Sequence, residues 1–437
     1  MNQTFLFEQL NAPEKTDRLD AIRGLKALID SGEFPAIPAT SDVNNHVHTT
    51  YSFSPYSPSK AVWMAYQAGL KVVGIVDHDS VSGAREFLEA AELIGIIPTV
   101  GLECRVDMAH TSIGDRRINN PDQNGVAYVT VHGIPHTSLD KIDQFLVPLR
   151  EKRGERNRRM TDGINAHIHP FGVSLDYDND ILPISMSHDG GSVTERHILH
   201  ALGLKFIHTF GKGEKLVSFL KNDLGVTISE KAAGQLLDIS NPYYEYDLLG
   251  LLKTSLIGQV YLPATDECPP IEDFITLAKE TGAISAYAYL GDVRDSVTGD
   301  KKTQTFEDAF LPELFDLICA LGVNGISYMP SRNTPEQINR LRGFIAEREL
   351  FQISGEDINQ PRQPFVCLAQ RAPEFSDLYD STLAMVGSER KAGFDLKDSM
   401  FSAETIEKLP SLRKRIALYK AYTETIYASC STDSMPD

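Results

Sequence analysis

The chain of 437 residues carries 60 acidic against 42 basic side chains, a formal net charge of −18. That balance disfavours long nucleic acids and anionic membranes as partners, because their phosphates call for clustered Lys and Arg. An apolar share of 42% and a charged share of 23% are those of an ordinary globular chain, and no run of about 18 apolar residues offers a membrane span.

Residues 1–40 read as a helical extension, with Arg18 to Ile29 as one amphipathic helix placing Leu19, Ile22, Leu25 and Ile29 on one face, then a Pro-containing linker. From 41 onward strand-like runs at 41–47, 71–77, 97–105 and 126–134 alternate with helical patterns at 58–68, 83–94 and 138–160. Ser57 is placed to cap the first of these helices, with Pro58 at its first position. Residues 150–270 are rich in helix signals and far too long for a loop, so an inserted helical domain is expected there. Strands resume at 283–290, 323–329 and 351–356, separated by helices at 306–321 and 334–347. After 365 only helices follow, at 374–386 and 402–428, and the closing STDSMPD reads as disordered. The expected organisation is an N-terminal extension (1–40), a first barrel part (41–149), the insertion (150–270), a second barrel part (271–365) and a C-terminal helical extension (366–437). Parallel strands alternating with helices predict an α/β fold, and seven of them suggest a barrel or strongly curved sheet.

Five scattered cysteines (Cys104, Cys268, Cys319, Cys367, Cys430) form no Cys-x-x-Cys pair, which argues against a disulfide frame or zinc ribbon. The N-terminus lacks a basic segment followed by an apolar core, so a cytoplasmic protein is expected.

In parallel α/β sheets and barrels, ligand chemistry gathers where the strands end. Those ends carry His46 and His48, then Asp77-His78-Asp79, Glu103, His132, Tyr289 with Asp292, Arg332, and Asp357 with Asn359. His46 and His48 are two apart on an extended backbone, so both imidazoles can reach one ion. A second such pair, His167 and His169, lies beside Pro170 inside the insertion and reads as surface or packing, as do His136 and His188. The basic run from Arg150 to Arg159 reads as a solvated helix face, with one or two arginines able to turn inward.

The motifs His46-Val47-His48-Thr49, Val76-Asp77-His78-Asp79-Ser80, Gly101-Leu102-Glu103, His132 and Ser354-Gly355-Glu356-Asp357-Ile358-Asn359 together resemble the PHP (polymerase and histidinol phosphatase) superfamily. The insertion segment Thr194-Glu195-Arg196-His197 resembles that of its small-phosphoesterase branch. The resemblance implies a seven-stranded (βα)7 distorted barrel with an inserted helical domain, and metal-dependent phosphoesterase activity. It also implies one complete metal position at His46, His48, Glu103 and Asp357. A second would share Glu103 with His132 and has Tyr289 where the family has histidine. A third, built on His78, has lost its partners, since Phe53 and Asn359 stand at their places.

Asp292 could turn back to complete the second position through its carboxylate. Imidazoles and carboxylates suit Mn, Zn or Fe, with one ion firmly held and a second held weakly. Arg332 is a candidate for phosphoryl oxygens, with a salt bridge as the alternative. Arg196 and His197 are candidates for phosphate binding and leaving-group protonation, against the alternative of a plain helix surface. The expected partner is a small phosphorylated metabolite or nucleotide, with no long nucleic acid and no membrane. The competing expectation is a barrel that binds a phosphorylated ligand as a regulatory module without turnover.

Overall fold

The computed structural model describes residues 2–293 and 304–432. The expected disordered tail lies outside the described residues, except that Ser431 and Thr432 close the last helix. Among the described residues no helix is long and apolar enough to cross a membrane.

Seven strands form one sheet in sequence order. They are β1 (Val43–Val47), β2 (Val72–His78), β3 (Ile97–Asp107), β4 (Val126–His132), β5 (Ile284–Ala288), β6 (Gly325–Tyr328) and β7 (Phe351–Ser354). The sheet bends into a barrel closed by a bridge between Val47 and Ile358. There His48 N–H donates to Ile358 O at 3.0 Å and Ile358 N–H to His46 O at 3.1 Å. Gly355 permits the close approach, since a Cβ at that position would come within 2.7 Å of the His46 nitrogen.

The expectation of uniformly parallel strands is corrected at β4, which runs antiparallel to both β3 and β5. The segment 108–125 that joins β3 to β4 contains no crossover helix, and a parallel pair needs one.

Ahead of the barrel stand two helices rather than one, α1 (Gln3–Gln9) and α2 (Lys15–Asp30). Phe7 of α1 and Phe34 meet the buried Trp63 of α3 (Pro58–Gln67). Helix α3 starts as its sequence dictates, with Ser57 Oγ accepting from Lys60 N–H at 3.0 Å and Pro58 at the first turn. Helix α4 (Ala84–Ile94) ends at Gly95, whose φ of 83° suits glycine.

Helix α5 (Leu139–Ile168) is continuous across the expected domain boundary at 150. Its first half buries Leu139, Ile142 and Leu146 in the barrel's core, and its second half buries Met160, Ile164 and Ile168 in a separate one. That second core is completed by α6 (Glu195–Phe210), α7 (Glu214–Ser218), α8 (Glu230–Leu237) and α9 (Tyr244–Val260). The chain then returns through α10 (Ile271–Glu280), α11 (Leu311–Leu321) and α12 (Pro335–Glu347), the last opened by a Thr334–Gln337 capping box.

After β7 come α13 (Ser376–Ala392), α14 (Ala403–Lys408) and α15 (Leu412–Thr432). Helix α13 plugs the end of the barrel where the strands begin. Its Leu383 and Val386 pack with Val43, Val72 and Ile97, and its Met385 with Ile284 and Phe351.

Candidate metal centre

At the opposite end of the barrel, His46 and His48 leave β1 with ring centroids 5.0 Å apart. The turn after them is pinned by Asp77, which accepts from Thr49 N–H at 2.7 Å and Thr49 Oγ1 at 2.6 Å. Register places His78 of β2 opposite Glu103 of β3. His78 Nδ1 lies 3.1 Å from Glu103 Oε2, and His46 Nε2 lies 3.8 Å from the same oxygen. Across the seam, Asp357 Oδ1 stands 3.1 Å from His48 Nε2. Ligand atoms of His46, His48 and Glu103 all fall within 4.8 Å of one another, and all three residues are buried.

The residues present fit a divalent cation. His46 Nε2 is buried with no hydrogen-bond partner, and burial reinforced by His48 brings this imidazole down to about 4, so it is neutral with a lone pair to give. Burial, then Asp357 and Asp79, push the Glu103 carboxyl up to about 8 against the pull of His48. A buried carboxyl so raised beside an orphaned imidazole nitrogen has the donor set of a cation site.

The tautomer of His48 follows from its neighbours. Ser52 Oγ donates to Asp77 Oδ1 at 2.6 Å, so its oxygen receives the proton of His48 Nδ1 at 3.2 Å. Nε2 faces Asp357 Oδ1, and against burial that carboxylate raises this imidazole's pKa; Nε2 is the nitrogen that would turn to a cation while Ser52 fixes Nδ1, the usual task of such supporting hydrogen bonds. Sequence reasoning passed over Ser52 and Asp77 in this role; Ser52 lies four residues after His48, three beyond the end of the 46–49 motif.

His132 lies lower in the barrel. Its partner across the ladder is Gly101, where an added Cβ would come within 3.1 Å of His132 Nδ1. Thr130 Oγ1 donates to Ala286 O at 3.2 Å and so accepts from His132 Nε2 at 3.0 Å, which leaves Nδ1 unprotonated. Burial and then His46 lower His132 to about 3.

The three replaced positions have each found another use. Phe53 is buried in the insertion's core, with its ring edge-on to His197 at 5.0 Å and to His200 at 5.6 Å. Tyr289 donates its hydroxyl to Asp308 Oδ1 at 2.6 Å. Asn359 donates from Nδ2 to Asp357 Oδ1 at 2.6 Å and accepts at Oδ1 from Arg196 at 3.0 Å. The Asp292 expectation is not met: its Oδ1 accepts from Phe306 N–H at 2.7 Å, tying a loop, and Asp292 is outside the compact ligand group.

Arg196, at the start of α6, reaches the seam through Asn359. The proton-donor expectation for His197 is corrected. His197 Nδ1 accepts from Thr194 N–H at 3.0 Å in a capping box, and burial lowers the imidazole to about 3, so it is neutral and occupied at the helix start. Arg332 is half-buried and its Nε donates to Leu290 O at 3.1 Å; burial lowers its pKa while the nearby Asp357 opposes that. His167, His169, His136 and His188 are exposed, as expected.

The basic run is only partly solvated. Arg153 and Arg156 are buried among carboxylates. Glu195 is held by Arg105 of β3 at 3.0 Å, by Arg153 at 2.9 Å and also by Arg156. Arg105 and Arg156 share Glu267, the latter through Nε at 2.6 Å, and Arg153 pairs with Asp79 beside His78. Three guanidinium groups thus meet three carboxylates where the insertion sits on the barrel. The sequence signal was the spacing of Arg153, Arg156 and Met160, which puts them on one face of α5 with apolar residues.

Residues 44–188 match the PHP domain family. A curated relative, a 5'-3' exoribonuclease of Haemophilus influenzae, is 25% identical over 232 residues, covering 50% of this chain and 74% of that protein. Among solved structures, a Bifidobacterium adolescentis protein whose name proposes a metal-dependent phosphoesterase has a TM-score of 0.50 at 20% identity, over 76% of this chain and 92% of that one. An amidohydrolase of Chromobacterium violaceum, with bound sulfate and no metal, gives 0.48 at 16% identity, over 74% and 90%.

Proposed function

We propose that this PHP-domain chain is a metal-dependent phosphoesterase that hydrolyses a small phosphorylated metabolite or nucleotide. The observation that carries the reading is the buried group of His46, His48 and Glu103, whose ligand atoms lie within 4.8 Å of one another. Asp357 adds a carboxylate from the other side of the seam. A divalent ion held there supplies Lewis acidity towards phosphoryl oxygens and an activated water.

The chain's own residues do the rest. Glu103 sets its Oε2 against both His46 and His78, and a bound cation would draw off the proton that burial holds on this carboxyl. Ser52 and Asp77 hold His48 in the tautomer that can bind an ion. Arg196 and Arg332, both electrostatically coupled to Asp357, supply the cationic donors that the equatorial oxygens of a transferring phosphoryl group need. The acidic balance of the chain favours a small substrate over a long polyanion, and the likeness to an exoribonuclease keeps nucleotidyl esters within the class.

The test is release of phosphate from a panel of phosphomonoesters and nucleotides with Mn, Zn, Fe and Mg supplied separately. Metal-dependent release that disappears in His46→Ala is the expected result. Absence of release in every combination would sink the reading. The alternative of a binding module without turnover is favoured by one observation, the commitment of Tyr289 to Asp308 instead of an ion. That alternative requires phosphorylated-ligand binding with no turnover, so the same panel separates the two.

A further inference from the structure

Arg196, Asn359, Asp357 and His48 form one polar chain. Arg196 Nη1 donates to Asn359 Oδ1 at 3.0 Å, Asn359 Nδ2 donates to Asp357 Oδ1 at 2.6 Å, and that oxygen stands 3.1 Å from His48 Nε2. Its ends belong to different parts of the fold, α6 of the insertion and the seam between β1 and β7. The orientation of the amide is dictated by its partners. A guanidinium has only donors and an ionised carboxylate only acceptors, so Oδ1 must face Arg196 and Nδ2 must face Asp357.

Asn359 is itself held in place. It is buried, and its backbone N–H donates to Gln363 Oε1 at 2.8 Å. On the other side, the residue before Arg196 is Glu195, gripped by Arg105, Arg153 and Arg156. Arg196 therefore extends from a fixed base to a fixed amide.

We propose that Asn359 is a positioning residue that sets two groups at once, the carboxylate of Asp357 for the ion and the guanidinium of Arg196 for an anion. The inference rests on the phosphoesterase reading and deepens it. It makes metal affinity and anion affinity depend on one side chain that binds neither the ion nor the anion itself.

The experiment is calorimetric titration of manganese alone, then of inorganic phosphate into the manganese-loaded protein. It compares the full chain with Asn359→Ala, Arg196→Ala and the double variant. Asn359→Ala should weaken manganese binding by about tenfold or more, as loss of a supporting hydrogen bond to a ligand does. It should weaken phosphate binding as much as Arg196→Ala does, and the double variant should bind phosphate no more weakly than either single one. A residue with a merely structural role would give additive losses. Additive losses, or phosphate affinity unchanged in Asn359→Ala, would overturn the proposal. Should Asn359→Ala fail to fold, Asn359→Gln, which keeps the amide but displaces it by a methylene, bears the same expectations and the same refutations. Wild-type protein that binds neither manganese nor phosphate would remove the phosphoesterase reading and this proposal together. Wild-type binding of both, with the variants unaffected, would overturn this proposal alone.

Discussion

Replacing Glu389 with glutamine should remove a pH-dependent weakness at the foot of the barrel. Glu389 of α13 is 2% exposed, and its Oε2 accepts from Thr99 Oγ1 at 2.6 Å and from Val100 N–H at 3.0 Å. Burial dominates and raises the carboxyl from 4.5 to about 7, offset only in part by Arg390 and these two hydrogen bonds. The folded chain thus holds this proton more tightly than the unfolded chain. The resulting stabilisation is fully present below the unfolded value of 4.5, declines as the pH rises, and is lost above about 7. A gap of about 2.5 between the two values, at 1.36 kcal/mol per unit, corresponds to about 3 kcal/mol. Glutamine has the same shape, its Oε1 can accept both hydrogen bonds, and it has no charge to bury. Urea unfolding followed from about pH 5 to about pH 8.5 should show the wild type losing about 2 to 3 kcal/mol that Glu389→Gln retains. Parallel stability profiles, or a glutamine variant that is the weaker of the two at alkaline pH, would refute the reasoning.

Glu103→Gln should lower kcat/KM by more than about tenfold, or about 1.4 kcal/mol of transition-state stabilisation, since an amide, unlike this carboxyl, has no proton to give up to become an anionic ligand for a bound cation; steady-state kinetics with the best substrate of the panel measures it. Ser52→Ala should weaken metal binding by about tenfold to a hundredfold, because His48 loses the partner that fixes its tautomer; competition with a fluorescent chelator reads this directly. Glu195→Ala should destabilise the fold by about 3 to 5 kcal/mol by leaving three buried arginines to two carboxylates, and a shift in the urea midpoint checks it.

The end of β2 was legible because the buried strand is an apolar run, Val72 to Val76, that stops at Asp77 and His78, whereas β3 runs on past Glu103 to Asp107 and the end of β4 at His132 lies level with the start of β5. The direction of β4 was not, because a strand's own pattern is the same either way up and only the connection before it decides. Helix α1 was missed since seven residues hold too few turns to show a period. His197 was misread for a different reason. A histidine at the third position of a helix can cap its start as a glutamate would, and a linear motif does not say which way the ring turns. Arg153 and Arg156 looked solvated because the carboxylates that bury them, Glu195 and Glu267, are 42 and 111 residues away from their partners. Phe53 could be seen to replace a ligand, but its place in a second core depended on helices more than a hundred residues downstream.

The seam that closes the barrel also sets an order of assembly. Val47 and Ile358 are about 310 residues apart, so the last ladder contact can form only after Ile358 has left the ribosome. By then the segment from Met160 to Val260 has been synthesised in full and can bury its own apolar side chains while β1 and β4 still present open edges. The residues proposed to hold an ion are divided across the same seam, with His46 and His48 at one side and Asp357 at the other. A chain halted before β7 would carry both histidines and Glu103, yet lack Asp357, the carboxylate proposed to join them from beyond that strand.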